Sequence, residues 1–525
     1  MRLYQKVLLA VLSAVLLVFS FKDKTAFLAW VSLVPFFIML EKSNLRQSVG
    51  LSWLTGTGFF CGVTFWFTTY SWSFWFPIIG FLSIYFIFYG IAFYFIFSKV
   101  KWHYLKAALV SCVWLAGELL RHRTFLAFPW GVLGYSQHNY IAVMQISKYT
   151  GVLGVSLLIL LFNLSIAMFL NSFIFNDKKP SGFQFHKGSS NGQARAKSRS
   201  ILFICTISIF AANLIFGAII PGPGNNKQPE GAELKVALVQ TNITFDDKYE
   251  KDTSVLIPDK YNDALYFRED TELVVFPESV IWGPVTRDEN KSFYEWVKNT
   301  AKTENLHFIM GQIIWDENLN YYNVAALYDP GLKLLGMYRK IHPLPCAEYM
   351  PYPDVLWFLK FMNIAKLNIT PSKGFTLINY PGKGNIGTNI CFESTIQIIS
   401  QNFRKNGADI LFTFTDDAGF KDSSASADHL VFSKVRAIEN NSYMVHIGNN
   451  GISAIIDNYG HIKGKTQLVK KEVLYGSVYF NDRKSFYSVN KEFLLYFYGV
   501  ATLILLAAYI CIHLTGKLKN RSYPK

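Results

Sequence analysis

The chain has 525 residues, of which 51% are hydrophobic and only 17% charged, and its formal net charge is +15. This composition is far from that of an average soluble protein, and the length leaves room for two or three domains. The basic residues lie mainly in short connectors between apolar runs, which favours a membrane protein over a nucleic-acid-binding protein. The six cysteines form no CxxC pair and no zinc-type spacing, so we predict no zinc site.

Eight apolar runs predict a bundle of about eight transmembrane helices, because a helix needs about 20 apolar residues to cross a bilayer. Seven of them fall within residues 1–220, and the eighth lies within residues 493–515. A polar segment at residues 176–200 predicts a flexible loop, and residues 221–231 predict a linker into a soluble domain. The eight runs are residues 7–21, 25–40, 51–70, 74–97, 105–120, 151–175, 201–220 and 493–514.

The distribution of Lys and Arg predicts how the chain is oriented in the membrane. With a cytoplasmic N-terminus, six basic residues of the loop at 176–200 and four of the C-terminal tail also lie in the cytoplasm. Residues 231–492 then lie on the opposite side. Within them, short β-rich runs alternate with helical patterns such as residues 291–304 and 428–439, which predicts an α/β sandwich over residues 231–485.

Three β-rich runs of this domain end abruptly at a chemically useful residue: Glu278, Lys340 and Cys391. A thiol can act as a nucleophile when a carboxylate takes its proton and an ammonium stabilises the oxyanion that develops. Each residue alone has an ordinary alternative, as a turn residue, a solvated charge or a core thiol. Together they predict a nucleophilic active site that needs no histidine.

In this order, the three residues resemble the Glu-Lys-Cys triad of the nitrilase (carbon–nitrogen hydrolase) superfamily, and within it the apolipoprotein N-acyltransferases. The resemblance covers nearly the whole chain and implies an αββα sandwich attached to membrane helices. A soluble nitrilase would lack the membrane motifs. The motifs are VQTNI at 239–243, FPE at 276–278, YRKIHPLPCAEYMP at 338–351, ICFE at 390–393, RAIE at 436–439, GNNGIS at 448–453, and, in the membrane part, ELLR at 118–121, FPWG at 128–131 and GYSQ at 134–137.

The resemblance implies a role for each site residue. Glu278 would be the general acid and base, Lys340 the oxyanion stabiliser and Cys391 the nucleophile that becomes acylated. Glu348 would be a second glutamate that supports the site, and the amide of Phe392 would complete the oxyanion hole. Glu393 would order the nucleophile segment. For Glu348 and Glu393, an ordinary buried ion pair or helix cap is the alternative.

The resemblance also implies the reaction and its partners. A fatty acyl chain would pass from a membrane phospholipid to Cys391, as a thioester, and then to the N-terminal α-amine of an S-diacylglyceryl-cysteine apolipoprotein. The protein would be a monomer in a bacterial inner membrane, with its catalytic domain on the periplasmic side. Two alternatives are a membrane-tethered nitrilase-like amidase and a non-catalytic membrane protein that binds lipoproteins.

The sequence departs from the family pattern at four positions. Phe392 stands where tyrosine is usual, while Gly419 and Tyr249 stand where tryptophan is common. Cys346 occupies a loop position that is commonly smaller or apolar. Because the catalytic domain is predicted to face an oxidising compartment, Cys346 could pair with Cys391, and we expect Cys391 to remain free.

Overall fold

The computed structural model describes most of the chain but not its C-terminal end. The predicted C-terminal helix, residues 221–230 of the linker, Tyr249 and Cys346 lie outside the described residues. The described residues are 1–69, 72–123, 127–174, 190–220, 231–244, 267–284, 287, 290–345, 347–350, 352, 354, 357 and 368–490.

The part of the chain before residue 221 is helical. Short 3₁₀ helices at Asp23–Trp30, Phe65–Thr69 and Leu133–Gln137 lie between longer α-helices. The α-helices are α1 (Leu3–Phe19), α2 (Val34–Glu41), α3 (Leu45–Val63), α4 (Trp72–Lys99), α5 (His103–Arg123), α6 (Ile141–Met144), α7 (Ser147–Thr150), α8 (Val152–Ile174) and α9 (Ser190–Ile219).

Four helical segments of the described residues are long and apolar enough to cross a membrane: Asp23–Glu41, Trp75–Lys99, Val152–Asn171 and Ser198–Ile219. The helix α1 is apolar but shorter. These segments agree with the prediction of a membrane protein. The predicted number of about eight spans is not confirmed by the described residues.

Residues 25–40, predicted as one membrane span, lie within the candidate span Asp23–Glu41. Inside this span, a 3₁₀ helix ends at Trp30 and α2 begins at Val34, with Pro35 in its first turn, where a missing amide hydrogen costs nothing. One predicted boundary is wrong. The predicted loop at 176–200 is helical from Ser190 onward. Residues 193–197 read QARAK, and each is a good helix former, so the polar segment extends α9 beyond its apolar part.

Residues 231–490 form a second domain, in which helices cover two sheets. Its helices are α10 (Lys291–Glu304), α11 (Gln397–Lys405), α12 (Ala425–Asn440) and α13 (Phe486–Val489). Its strands are β1 (Ala232–Gln240), β2 (Leu273–Val275), β3 (Ile281–Trp282), β4 (His307–Trp315), β5 (Tyr321–Tyr328), β6 (Leu334–Arg339), β7 (Ile378–Tyr380), β8 (Gly384–Ile390), β9 (Ile410–Thr415), β10 (Met444–Gly448), β11 (Ala454–Ile456), β12 (Ile462–Lys465) and β13 (Glu472–Phe480).

The first sheet has the strand order β13-β1-β2-β4-β5-β6, with β3 beside β4, and the second has the order β12-β11-β10-β9-β8-β7. Each has a parallel centre, β1-β2-β4 in one and β8-β9-β10 in the other, flanked by antiparallel strands. Glu278 follows the parallel strand β2 and Cys391 follows β8. Carboxyl ends of parallel strands are common positions for reactive side chains.

Alternation along β1 shows how the layers pack. Leu234, Val236 and Leu238 belong to the core between the two sheets, whereas Ala237 and Val239 pack toward α10 on the outer face. This follows from the two-residue period of a strand. The helices α11 and α12 cover the second sheet. The α/β sandwich predicted from the sequence is therefore confirmed.

The helix α12 connects the sandwich to the membrane helices. The Arg436 guanidinium donates a hydrogen bond to the Tyr135 hydroxyl and pairs with Glu439, 2.8 Å away. The Val152 amide, at the start of α8, donates to Glu439 Oε1 at 2.7 Å. The ring of Phe432 packs against Tyr135 with centroids 4.8 Å apart. A buried charged pair thus joins the two halves of the protein.

Candidate active site

The thiol of Cys391 lies at a sharp turn between β8 and a 3₁₀ helix, Cys391–Thr395. Its φ of +52° is in the left-handed region, which costs a residue other than glycine about 1 to 2 kcal/mol. Two hydrogen bonds hold the turn: Ser394 Oγ donates to the Cys391 carbonyl at 2.9 Å, and the Ile390 amide donates to Glu393 Oε2 at 2.8 Å. Such a turn lifts the nucleophile out of the sheet, and Cys391 is a free, partly buried thiol.

Glu278 follows β2 and is held from two sides. Asn323 Nδ2, on β5, donates to Glu278 Oε1 at 2.7 Å, and the Asp416 amide donates to Oε2 at 2.8 Å. Gly311 on β4 permits this packing, because a Cβ there would lie 2.5 Å from the Glu278 Cα. The carboxylate therefore has a fixed position in a buried site.

Lys340 follows β6, and only 1% of its side chain is exposed. Its ammonium lies 2.7 Å from Glu348 Oε2 and 3.6 Å from Glu278 Oε1. Asn323 Nδ2 also reaches Glu348 Oε1, at 3.4 Å, and so bridges the two carboxylates. The structure thus brings Glu278, Lys340 and Glu348 into one cluster.

The cluster contains more carboxylates than cations, and the pKa values reflect this. Burial raises the pKa of Glu278, and the nearby Glu348 raises it further, against the opposing effect of Lys340. Burial alone would lower the pKa of Lys340, but Glu348 and Glu278 raise it above its usual value. Burial, followed by the charge of Glu278, raises the pKa of Cys391 well above that of a free thiol. The resting site therefore holds a protonated thiol next to a carboxylate with increased basicity.

Glu393 connects the nucleophile segment to the segment that carries Lys340. Its Oε1 accepts hydrogen bonds from the Tyr338 hydroxyl at 2.8 Å, the Ile341 amide at 2.8 Å and the His342 amide at 3.0 Å. Burial raises the pKa of Glu393 to about 7, while Lys340 and the donor amides act in the opposite direction. Glu393 therefore sets the position of Lys340 relative to Cys391.

Two of the four departures from the family pattern, Phe392 and Gly419, lie near the place where the two halves of the protein meet. The Phe392 ring is nearly parallel to Trp130 of the membrane part, with centroids 6.5 Å apart, and to His342, at 6.1 Å. Next to Gly419, the ring of Phe420 packs edge-on against Trp66 at 5.1 Å. Phe392 itself, and Phe420 next to Gly419, thus each contact an aromatic residue of the membrane part. Cys346 lies outside the described residues, so the expectation that it does not pair with Cys391 stays a prediction.

Sequence reasoning missed Asn323 and the amide of Asp416, the two groups that hold Glu278. Asn323 is an ordinary polar residue in β5, and it lies 45 positions from Glu278. The Asp416 amide is a backbone group, 138 positions away, that carries no sequence signal. Gly419, noted as a departure from the family pattern, lies in the same loop but does not indicate this contact.

Sequence reasoning also missed a buried pair beneath the nucleophile, His429 and Asp417. His429 Nδ1 lies 3.0 Å from Asp417 Oδ1, and Nε2 lies 3.2 Å from the Cys391 carbonyl oxygen. Burial lowers the pKa of His429, but Asp417 raises it above the usual value, so both ring nitrogens can donate. With His446, these residues place three potential metal-ligand atoms within 4.8 Å of one another. Both ring nitrogens of His429 are already engaged in hydrogen bonds.

This arrangement can perform acyl transfer by nucleophilic catalysis. A carboxylate with a raised pKa can accept the thiol proton as sulfur attacks a carbonyl, and a buried ammonium can stabilise the oxyanion. The fixed positions of Glu278 and Lys340 mean that little reorganisation is needed during the reaction. The roles of Glu278, Lys340 and Cys391 remain predictions that the experiments below test.

Comparison with known proteins identifies both halves. Residues 13–165 match the apolipoprotein N-acyltransferase N-terminal domain, and residues 235–487 match the carbon-nitrogen hydrolase domain. The apolipoprotein N-acyltransferase of Geobacter metallireducens is 29% identical over 92% of this chain and 91% of its own length. The apolipoprotein N-acyltransferase 1 of Treponema denticola is 28% identical over 99% and 98%. Among solved structures, Nit3 of Saccharomyces cerevisiae, a nitrilase superfamily member, is 18% identical and covers 50% of this chain and 94% of its own, with a TM-score of 0.37.

Proposed function

Because this chain belongs to the apolipoprotein N-acyltransferase family, we propose that it acylates the N-terminal amine of diacylglyceryl apolipoproteins through a thioester on Cys391. The observation that carries the mechanism is the cluster next to the Cys391 turn, in which Glu278 and Lys340 follow strand ends and Glu348 lies in the loop after Lys340. The donor is a membrane phospholipid, and the reaction needs no dissociable cofactor.

In the first step, the Cys391 sulfur attacks an ester carbonyl of the phospholipid. The S–C bond forms while Glu278 accepts the thiol proton, and Lys340, with the Phe392 amide, stabilises the oxyanion. The ester C–O bond then breaks, and Glu278 returns the proton to the glycerol oxygen. A lysophospholipid leaves, and the acyl chain stays on the enzyme as a thioester.

In the second step, the neutral α-amine of the lipoprotein cysteine attacks the thioester carbonyl. The C–N bond forms, the C–S bond breaks, and Glu278 carries the amine proton to the departing thiolate. Donor and acceptor occupy the same cleft in turn, so the kinetics are ping-pong. Both substrates are anchored in lipid, which accounts for a catalytic domain fastened to membrane helices.

We further propose the finer membrane arrangement: about seven helices in residues 1–220, the catalytic domain in 231–485, and a final helix in 493–515. The distribution of basic residues supports cytoplasmic termini and a periplasmic catalytic domain in a bacterial inner membrane. Single cysteines at positions 195 and 302, in a background in which the other cysteines are replaced, can be tested with an impermeant thiol reagent. Labelling of both from the same side of the membrane contradicts the proposed orientation.

Mass spectrometry of the purified protein tests the thioester. When phospholipid is supplied without lipoprotein, the peptide containing Cys391 should gain one fatty-acyl mass, which neutral hydroxylamine should remove. The adduct should disappear on addition of a diacylglyceryl lipopeptide, and it should be absent from Cys391→Ala. Label on Cys346 instead would assign the nucleophile to that residue. Transfer without label on either cysteine would rule out the covalent route.

A further inference from the structure

A cavity of about 600 Å³ lies where α12 of the sandwich meets the ends of α1 and α3. Its volume is in the range of ligand-binding pockets. One part of its lining is apolar and comes from the membrane helices, including Val18, Phe21 and Val63. Another part is basic and includes Lys22, Lys434 and Lys465. The cavity thus has an apolar region and a cationic region, as an amphipathic ligand requires.

Lys434 is the buried cation of this cavity, with 7% of its surface exposed. Its ammonium donates a hydrogen bond to the neutral Asn139 Oδ1, at 2.9 Å, and forms no ion pair within the described residues. Burial lowers the pKa of Lys434 to about 8, so an anion beside it would stabilise the charged form. Lys434 therefore favours an anionic group in the cavity.

The acidic groups of the cavity do not neutralise Lys434 by direct contact. Asp23 Oδ1 lies 3.3 Å from His138 Nε2 and is largely exposed. Burial raises the pKa of Asp428 to about 7, so this carboxyl is partly protonated at neutral pH. The three lysines thus leave the cavity with an excess of positive charge.

Two buried donors in the cavity wall also lack partners. Trp66 and Trp130 are each 6% exposed, and their Nε1–H groups find no acceptor among the described residues. Both indoles line the cavity. Because neither nitrogen has accessible surface, the two N–H groups do not open into the cavity, and the indoles contribute ring surface to its wall.

The cavity also adjoins the nucleophile. The Trp130 ring is nearly parallel to the ring of Phe392, the residue after Cys391, and contacts Phe432 with centroids 4.7 Å apart. Two stacked rings, Trp130 of the cavity wall and Phe392 next to Cys391, therefore connect the cavity to the nucleophile turn. The ester groups and the phosphate of a glycerophospholipid are joined through one glycerol, so binding its phosphate here would bring an ester toward Cys391.

We infer that this cavity binds the phosphate-bearing end of the phospholipid acyl donor, with Lys434 pairing with the phosphate and the Trp66 and Trp130 rings forming part of the apolar wall. The inference rests on the proposed function and assigns the donor site within it. The apolar lining from α1 and α3 would accommodate the beginning of an acyl chain.

The test compares Lys434→Met with Lys434→Arg and with Lys302→Met, which removes an exposed lysine of α10 far from the cavity in sequence. Acylation of Cys391 is followed with two donors, phosphatidylglycerol in mixed micelles and the phosphate-free ester p-nitrophenyl palmitate. For Lys434→Met, we expect the KM for phosphatidylglycerol to rise by about tenfold, while acylation by the nitrophenyl ester is unchanged. Lys434→Arg should restore most of the affinity, and Lys302→Met should behave as the wild type.

Every other outcome counts against the inference. An unchanged KM for phosphatidylglycerol in Lys434→Met would overturn it, and so would an equal loss with both donors, which would indicate a structural role. A slower transfer from preformed acyl-enzyme to lipopeptide, with donor KM unchanged, would place the acceptor in the cavity. Failure of the proposed function looks different, because the wild type itself would then form no thioester with phosphatidylglycerol.

Discussion

Two clusters of buried charge serve different purposes in this protein. Around Lys340, one ammonium faces Glu278 and Glu348, with Glu393 close by, so negative charge is in excess. In α12, one guanidinium pairs with one carboxylate, Arg436 with Glu439, and each residue also makes one hydrogen bond to the membrane part. The first cluster therefore has unequal numbers of positive and negative groups, and the second has one of each.

The difference shows that burial of charge does not by itself identify an active site. A buried pair of opposite charges can fix one element against another, because removal of either partner would leave the other charge buried alone. An unbalanced cluster keeps the pKa values of its members displaced, which is what acid and base catalysis requires. Substitutions of Glu278, Lys340 and Arg436 test whether the two clusters differ in this way, and a substitution of His429 tests the separate pair beneath the nucleophile.

Glu278→Gln should have the largest effect on activity. The amide cannot accept the thiol proton, so acylation of Cys391 should slow by about a hundredfold to ten-thousandfold. The rate of thioester formation, measured by mass spectrometry with phospholipid as donor, checks this. Glu304→Gln removes an exposed carboxylate of α10 and is the matched control. Near-normal turnover in Glu278→Gln would remove Glu278 from the mechanism.

Lys340→Met should lower the rate of acylation by about a hundredfold to a thousandfold, the loss typical of removing one group that stabilises an oxyanion. The effect should appear in kcat, because the ammonium acts on charge that develops only in the transition state. Steady-state kinetics with purified protein give both parameters, with Lys298→Met as the exposed control. A change confined to KM would assign Lys340 to binding.

Arg436→Met should affect stability and leave the chemistry intact. Glu439 would remain buried without its partner, which costs about 3 to 5 kcal/mol, and the thermal midpoint in detergent should fall. The double substitution Arg436→Met with Glu439→Leu should recover much of that loss. Acylation per folded molecule should stay close to the wild type in both. A large drop in kcat without loss of stability would mean that this cluster is not purely structural.

His429→Gln should destabilise the fold by about 2 kcal/mol at mildly acidic pH, because His429 bonds to a charged partner, Asp417. The pKa of His429 is raised in the folded state, so its contribution is fully present below its ordinary value and is lost as pH rises through the raised value. Asp417 stays ionised throughout, and burial and His429 lower the pKa of His446 to about 3, so it stays neutral.

Thermal midpoints of the wild type and His429→Gln, measured across pH, check this expectation. The difference between the two proteins should shrink as pH rises. A difference that grows with pH, or that does not change, would mean that His429 is neutral in the folded protein.

The periodic spacing of apolar residues predicted helices and strands whose formation depends on residues close together in the chain. Residues 291–304 were predicted as a helix and form α10, in which Phe293, Val297 and Ala301 repeat on one buried face. Strands such as β1 were predicted because their apolar residues alternate or run without interruption. The final strands β12 and β13 were missed. In β12, which reads IKGK, two lysines and a glycine weaken the signal, whereas β13 reads EVLYGSVYF and carries a strand pattern that was overlooked.

The amino-acid sequence by itself determined the apolar membrane part, the α/β domain and the identity of the reactive residues at three strand ends. These depend on residue type and on spacing within one or two turns or strands. Only the tertiary structure decided the charge balance around Lys340, the positive φ of Cys391 and the contact of Arg436 with Tyr135, 301 positions away. Such features arise from groups far apart in the chain, and their energies depend on burial and distance, which exist only once the chain has folded.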